Sequence, residues 1–553
     1  PAATATSGWW LCGRIGGTEI SSSGHPGQGL ISMSRTVVRN PDVPLLIGLD
    51  IGSTNVKAVV YEPDGRTVAS ASVPTVTHYP RPTWAFYRPD ELWARAVQVL
   101  REAIADVDDP RRIAGIAVAS MAEAGVPLDR HGHPTYDAIA WFDRRTIPQR
   151  DWLGRAIGED TLFARTGLSL QPIWSLCKLL WIKENEPEAW ARTVRWLNVA
   201  DFIAYKLSGE PATDWSLASR TLAFDIRRRH WDTDILRTAG VPPEMMAPAV
   251  PSGTKVGSVT AEAAAATGLP RGAAVAAGGH DHICGALAAG VVQRGQILDS
   301  MGTAEALFVA LDAPLSNPEL GRLGYTQGAH VAAGNYYVNG GVYTSGASIE
   351  WLRTVLGDLD HETLVDEAET VPVGSLGATF LPHLRLANAP NPDARARGAF
   401  VGLTSDATRG TLARAVLEGL AYEGRATLEP LLGLAGVDRM PAIAVIGGSA
   451  KNDLLLRIKA SVMRTSLHVL DVAEATSLGA AILGGLGAGV YQSVADALAS
   501  IRLQSTVVEP DPAAADFYDA YFRDVYSHLY EALKPVNHRI HALNAGDAAE
   551  RAS

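Results

Sequence analysis

The sequence predicts an α/β protein of two similarly built domains that face each other across a cleft. Three observations carry this. The chain has 553 residues, more than one compact core organises. Short apolar strands alternate with segments of helical period. A strand–turn–strand unit near residue 50 returns near residue 300.

The first copy opens with Leu45 to Asp50, an apolar run that reads as a buried strand. Gly52, Ser53, Thr54 and Asn55 form the turn, Val56 to Tyr61 the second strand, and Thr67 to Ser72 a third after the hairpin signal Pro63-Asp64-Gly65. Helical spacing begins near Asp90, and Ile113 to Ser120 is another apolar strand. The second copy runs from Gln296 to Asp299, turns at Ser300 to Thr303, and returns from Ala306 to Leu311. A third glycine turn, Gly447-Gly448-Ser449, follows the apolar run Ala442 to Ile446, with a helix predicted from Asn452. Leu478 to Tyr491 carries five glycines and reads as a tightly packed internal helix. Ala513 to Leu533 reads as one long aromatic-rich helix. The expected organisation is an extension over 1–43 that is poorly ordered, domains over 44–292 and 293–508, and a C-terminal helix and tail over 509–553.

Composition narrows the function. With 48 basic and 59 acidic residues the net charge is −11, which argues against a nucleic-acid partner. A nucleotide is not excluded, because loop amides hold phosphate whatever the global charge. Cys12, Cys177 and Cys284 are too few and too scattered for a disulfide framework, which points to a reducing, cytoplasmic setting. No apolar run reaches the roughly 18 residues of a membrane span.

The turns carry the chemistry. Asp50 stands at a strand end, where a carboxylate holds Mg²⁺ directly or through water. Gly52 lets backbone approach a ligand, Ser53 and Thr54 offer donors to phosphate, and Lys57 adds a positive charge. An ordinary polar hairpin would read the same way. Asp281 follows the pair Gly278-Gly279 and His280, where a helix begins. It reads either as a helix cap or as a general base for a hydroxyl attacking phosphorus. His280 and His282 lack a third partner for a metal site. Gly302 and Thr303 mirror the first turn. Gly447 and Gly448 leave flat space for a nucleoside, with Asn452 beside it. There is no Gly-Lys pair and hence no Walker A loop, and the protein-kinase motifs are missing.

Together these motifs, in this order, resemble the FGGY family of carbohydrate kinases, which includes xylulokinase, gluconokinase, ribulokinase and glycerol kinase. The resemblance runs from about Leu45 to about Leu533. It is reinforced by Gly346 to Leu352, by Ala396 to Leu403 and by Ala475 to Ala481. It implies two actin-like (ribonuclease-H-like) ATPase domains, with MgATP as phosphate donor and a small sugar or polyol as acceptor. It implies phosphate and Mg²⁺ contacts at Asp50, Ser53, Thr54 and Lys57, a catalytic base at Asp281, and a second phosphate loop at Gly302 and Thr303. Gly346 lies on the nucleotide-side helix, and Gly447, Gly448 and Asn452 on the adenosine side. Glu123, Asp143 and Trp174 match substrate-side positions, although Asp143 also reads as the partner of an arginine that fixes its loop, and Trp174 as core. The Gly-Gln-Met-His of xylulokinase-type enzymes is replaced here by Ser120-Met121-Ala122-Glu123. The segment Asp214 to Thr221 is read as structural. A ketopentose or short polyol is the expected acceptor, and a homodimer the default assembly. An actin-like ATPase of chaperone type, or a sugar sensor without phosphotransfer, would lack the need for Asp281.

Overall fold

The computed structural model describes residues 43–550, with side chains to residue 544. The expected N-terminal extension lies outside this range apart from its last residue, as does Cys12. Strand β1 (Leu45–Ile51) returns through the Gly52 turn, whose N–H meets the Asn55 carbonyl at 3.0 Å, as antiparallel β2 (Asn55–Tyr61). β3 (Thr67–Pro74) continues the meander. On the other side of β1 lie β4 (Ile113–Ser120) and, later in the chain, β5 (Lys255–Ser258) and β6 (Ala274–His280). β4 and β6 are parallel to β1, and β5 closes the edge antiparallel. The order is β5-β6-β4-β1-β2-β3.

The second sheet repeats this plan. It holds β7 (Ile297–Met301), β8 (Glu305–Leu311), β9 (Thr326–Ala329), β10 (Tyr336–Val342), β11 (Ile443–Ile446), β12 (Leu467–Leu470) and β13 (Ser505–Val508). Its order is β9-β10-β8-β7-β11-β12-β13. Apart from the added edge strand β9, every pairing direction matches the first sheet: β7, β8 and β10 form the antiparallel meander, β11 and β12 run parallel, and β13 closes antiparallel. The hairpin recognised twice in the sequence is thus the start of two sheets of one topology.

Helices cover both sheets. α1 (Pro89–Ala105) starts with proline at its first position, where the missing N–H costs nothing, and lays Leu92, Ala96, Val99 and Leu100 on β2 and β3. α2 (Asp281–Ala288) follows β6 directly. α3 (Gly346–Val355) follows β10, and α4 (Arg409–Ala435) is a long, almost wholly buried helix. α5 (Asp453–Met463) leads to β12. α6 (Ala475–Gly487) comes from the second half but packs on β1, β4 and β6 of the first sheet and against α2. Its backbone all but touches theirs. A Cβ on Gly48 would stand 1.7 Å from the Ser477 carbonyl oxygen, one on Gly479 1.9 Å from that of Cys284, and one on Gly115 2.4 Å from that of Gly484.

The C-terminal helix expected over Ala513 to Leu533 runs on to Glu550 and is interrupted by one π turn. α7 (Pro512–Tyr521) passes through one π turn over Phe522–Tyr526 into α8 (Ser527–Glu550). The pair docks on α4, whose buried charges it satisfies. Tyr518 donates to Glu418 at 2.8 Å, Tyr526 to Glu423 at 2.7 Å, and Arg425 to Asp519 at 2.6 Å. No helix among the described residues is long and apolar enough to cross a membrane.

The close approach of α6 gives a direct test. Gly48→Ala should destabilise the fold by about 3 kcal/mol, because both contacting surfaces are backbone and cannot yield. Gly448→Ala, where a new Cβ meets nothing within 4 Å, should leave stability unchanged. Urea unfolding of both variants checks the contrast.

Candidate active site

The carboxyl ends of β1, β4 and β6 point to one place, as ligand sites in open α/β sheets do. There, between the two sheets, lies a cavity of about 260 Å³. Ser53 after β1, Glu123 after β4 and Asp281 after β6 line it from the first half. Ala304 in the β7–β8 turn, Thr326 on β9 and Asn339 on β10 line it from the second. Met121, Trp141, Trp174 and Phe308 supply its apolar wall.

Glu123 is a buried residue held at φ +64°. A left-handed backbone is uncommon for glutamate and persists only where the surroundings enforce it. Here they do. Its carbonyl accepts from Lys178 Nζ at 2.7 Å and from Ser175 Oγ at 3.1 Å. Burial pushes the Lys178 ammonium down to about 8, with the Glu123 and Asp143 charges opposing. The Glu123 carboxylate meets Arg220 Nε at 2.7 Å. The Arg220 guanidinium lies 4.6 Å from the Trp174 ring centre and donates to Thr326 Oγ1 at 3.3 Å, which in turn donates to Asn339 at 2.7 Å. A hydrogen-bonded chain therefore crosses the cavity from the first half to the second. Arg220 comes from the segment Asp214 to Thr221, in which sequence alone points to a structural role. An arginine among Leu217, Ala218 and Leu222, all buried, was the available signal, since such a charge needs a carboxylate partner.

Asp281 is the first residue of α2, and His280 takes the cap position. The Asp281 side chain is 24% exposed, and its Oδ1 accepts from the His282 N–H at 2.7 Å with His280 Nε2 at 3.1 Å. Burial would raise this carboxyl, but the charges of His282 and His280 and the hydrogen bonds from both outweigh it and hold it at about 2. Asp50 behaves oppositely. Burial first, and then the charge of Asp281, push it well above the carboxylate range, with Lys57 opposing. Its Oδ1 is buried without a hydrogen-bond partner. A cation beside Asp50 would relieve both burdens, so the residues present fit a bound Mg²⁺. Among the described residues no group of three His, Cys, Asp or Glu side chains is set to hold a metal, which leaves phosphate oxygens and water to complete such a site.

Three glycine motifs from distant parts of the chain meet on the second half. The Gly302 carbonyl accepts the Gly346 N–H at 3.1 Å, and the Thr303 carbonyl the Ala347 N–H at 3.0 Å. A Cβ on Gly346 would come within 2.6 Å of the Gly302 oxygen. Gly447, at φ +105°, approaches Met301 so closely that a Cβ would lie 2.4 Å from its carbonyl oxygen. Gly448 is exposed and faces open space, and Thr303 is likewise exposed. Beneath this cluster Lys459, fully buried on α5, is paired with Asp299 and, at 2.8 Å, with Glu305. Glu305 also accepts from Ser345 Oγ at 2.9 Å, which ties the β7–β8 hairpin to the start of α3.

Other expected site residues have surroundings of their own. Asp143 does not line the cavity. Its two oxygens are filled by Arg145, which forks onto it at 2.9 and 2.7 Å, and by the Ala85 N–H. Arg145 in turn lies on the rings of Trp84 and Trp181. Lys57 faces Glu474 at 2.7 Å, just before α6. Asn452 caps α5, its Oδ1 accepting the Leu455 N–H at 3.0 Å. Thr54 is exposed, and Ser53 Oγ accepts from Trp141 Nε1 at 3.1 Å.

The N-terminal domain of the FGGY family of carbohydrate kinases matches residues 45–288, and its C-terminal domain residues 298–488. The chain belongs to the FGGY family of carbohydrate kinases. It is similar to the xylulose kinase of Bacillus subtilis, 28% identical over 494 residues that cover 89% of this chain and 98% of that one. A glycerol kinase of Citrifermentans bemidjiense is 32% identical, over 81% of this chain and 91% of its own. Among solved structures, a xylulose kinase from Rhodospirillum rubrum superposes with a TM-score of 0.80 at 31% identity, over 89% of this chain and all of that one. As an FGGY kinase the protein is an ATP-dependent kinase of a sugar or polyol, built on two actin-like ATPase domains.

The Glu123–Arg220 pair gives a second prediction. Glu123→Gln should cost about 3–5 kcal/mol of stability, because it leaves a buried guanidinium unpaired. The double variant Glu123→Gln with Arg220→Met should be less destabilised than the sum of its singles. A urea double-mutant cycle measures this coupling.

Proposed function

We propose that the cavity is the acceptor site and that Asp281 receives the acceptor's proton during phosphoryl transfer. The observation that carries this is the convergence of Ser53, Glu123, Asp281 and Ala304, from four chain segments and both halves, on one small cavity. In this reading the Gly52-Ser53-Thr54 and Gly302-Thr303 turns receive the phosphates of ATP. Gly346, Gly447 and the open Gly448 border the nucleoside. Glu123 and Trp174 bind the acceptor, with Arg220 added to the set. Asp143 fixes its loop through Arg145, Asn452 shapes the Gly447–Gly448 turn, and Lys57 balances Asp50 from the neighbouring strand.

The reaction needs little covalent work from the protein. The acceptor hydroxyl oxygen forms a bond to the γ-phosphorus as the bond from that phosphorus to the bridging oxygen of ADP breaks. The hydroxyl proton passes to the Asp281 carboxylate. A carboxyl held at about 2 is a weak base, so Asp281 orients the hydroxyl first and takes its proton late, when the oxygen has become acidic by bonding to phosphorus. Mg²⁺, held by Asp50 when bound, would supply charge neutralisation to the phosphate oxygens. Turn amides at Ser53 to Asn55 and at Thr303 are the protein's donors to the same oxygens.

Charge selects the acceptor class. Of the carboxylates that line the cavity, Glu123 is matched by Arg220 and Glu305 by Lys459, which leaves the negative charge of Asp281 facing the acceptor. An acceptor bearing a carboxylate or phosphate would meet like charge at close range. The site therefore favours a neutral ketopentose or short polyol. A cytoplasmic setting agrees with the free, buried thiols of Cys177 and Cys284 and with ATP as donor.

Two measurements test this. Asp281→Asn should fold as the wild type does and lose at least ~100-fold in turnover; ADP release that stays within a few-fold would remove Asp281 from its role. Across xylulose, ribulose, glycerol, erythritol, xylitol, arabinitol and gluconate, ADP release should depend on acceptor. The best neutral acceptor should exceed gluconate by ~100-fold or more in kcat/KM, and preference for gluconate would overturn the charge argument.

A further inference from the structure

The matched family domains end at residue 488, yet the last helix, α8, reaches back to the cavity wall. Tyr530 and His538 stand on α8 and both meet Asp393. Tyr530 donates to Asp393 Oδ2 at 3.2 Å, and His538 Nε2 lies 2.6 Å from the same oxygen. Asp393 Oδ1 accepts the Arg395 N–H at 2.9 Å. The Asp393 side chain is only 8% exposed, so this carboxylate is fully engaged in a poorly solvated place, where such bonds hold best.

Asp393 closes a loop. Its backbone is paired in both directions with Ala387, each bond 3.0 Å. Within the loop, Asn388 and Ala389 line the cavity. Asn388 donates to the Gly341 carbonyl at 2.9 Å, and the Ala389 carbonyl accepts from Thr427 at 3.2 Å. Tyr530 also packs against Ala387 and Ala396 in a small apolar cluster. The loop thus carries a cavity-facing side and a side gripped by the tail.

We propose that Tyr530 and His538 are positioning residues for the acceptor: by clamping Asp393 they fix the 387–393 loop, and with it the wall formed by Asn388 and Ala389. Neither residue lines the cavity, so each acts through the loop: His538 through Asp393, and Tyr530 through Asp393 and its packing on Ala387 and Ala396. The inference rests on the cavity being the acceptor site.

The test uses the full chain with Tyr530→Phe, which removes one hydroxyl, and His538→Ala, with His538→Gln as the variant that keeps a donor. Hydrogen exchange of residues 385–396 should quicken at least ~10-fold in the first two and return toward wild type in the third. With glycerol and D-xylulose as acceptors, the acceptor KM should rise roughly 5- to 10-fold while the KM for ATP and kcat stay within about twofold. Wild-type exchange in both variants would overturn the clamp. So would faster exchange with an unchanged acceptor KM, which would leave the tail a purely structural strap. Failure of the wild type to turn over either acceptor would count against the acceptor reading above, and exchange alone would then decide the clamp.

Discussion

α6 can lie so close to the first sheet only because glycine keeps Cβ atoms out of the points of closest approach. Gly48 and Gly115 on the sheet face Ser477 and Gly484 on the helix, and Gly479 faces Cys284 on α2. At such separations the contact is backbone on backbone, rigid and dense in dispersion attraction. Because α6 belongs to the second half, this contact sets where one half stands against the other. Its consequences radiate to the chemistry. Glu474, one residue before the helix, holds Lys57, and Thr476 Oγ1 reaches the Asp281 carbonyl at 3.4 Å. Asp50, Lys57 and Asp281 are thereby placed relative to the second sheet by a single glycine-lined seam.

Around that seam the protein treats buried charge in two ways. Arg414 with Glu418, His383 with Glu423, Lys459 with Asp299 and Glu305, and Glu123 with Arg220 are closed sets, each charge answered within hydrogen-bond reach. Burying such groups without partners would cost several kcal/mol each. Among the described residues Asp50 has no such partner. Its unpartnered oxygen sits where a neighbour, Asp281, adds like charge instead of relieving it. In the reading proposed above, this oxygen is the one left for a cation that accompanies the nucleotide phosphates. Perturbed carboxylates of this kind mark working sites more often than structural ones.

Local pattern made much of this legible in the sequence. The two hairpins, the strand before Gly447 and the start of α2 are contiguous stretches whose apolar runs and turn glycines announce themselves. Repetition of the hairpin foretold the repeated sheet. Features that depend on partners far along the chain stayed hidden. Arg220 lies 97 positions from Glu123, and no local property of either reveals the pair. For Asp143 the sequence allowed both a sugar contact and an arginine that fixes the loop, and the fold shows its oxygens taken by Arg145 and the Ala85 N–H. Lys178 and Lys459 were readable in principle, since each interrupts the apolar face of a helix, Leu176 to Ile182 and Leu454 to Val462. A lysine there must find an acid or a carbonyl.

The left-handed backbone at Glu123 reaches beyond this one chain's chemistry. A residue at φ +64° accepts few replacements, because most side chains lose about 1–2 kcal/mol in that conformation and only Gly, Asn and Asp enter it readily. With the cavity as the acceptor site proposed above, evolution of the acceptor range is channelled. Mutations at 123 are filtered by conformation before their contacts are tried, whereas Arg220, Thr326 and Asn339 line the same cavity from positive-φ-free positions. New acceptors in this lineage, natural or engineered, are reached more freely by changing those three around a glutamate that stays.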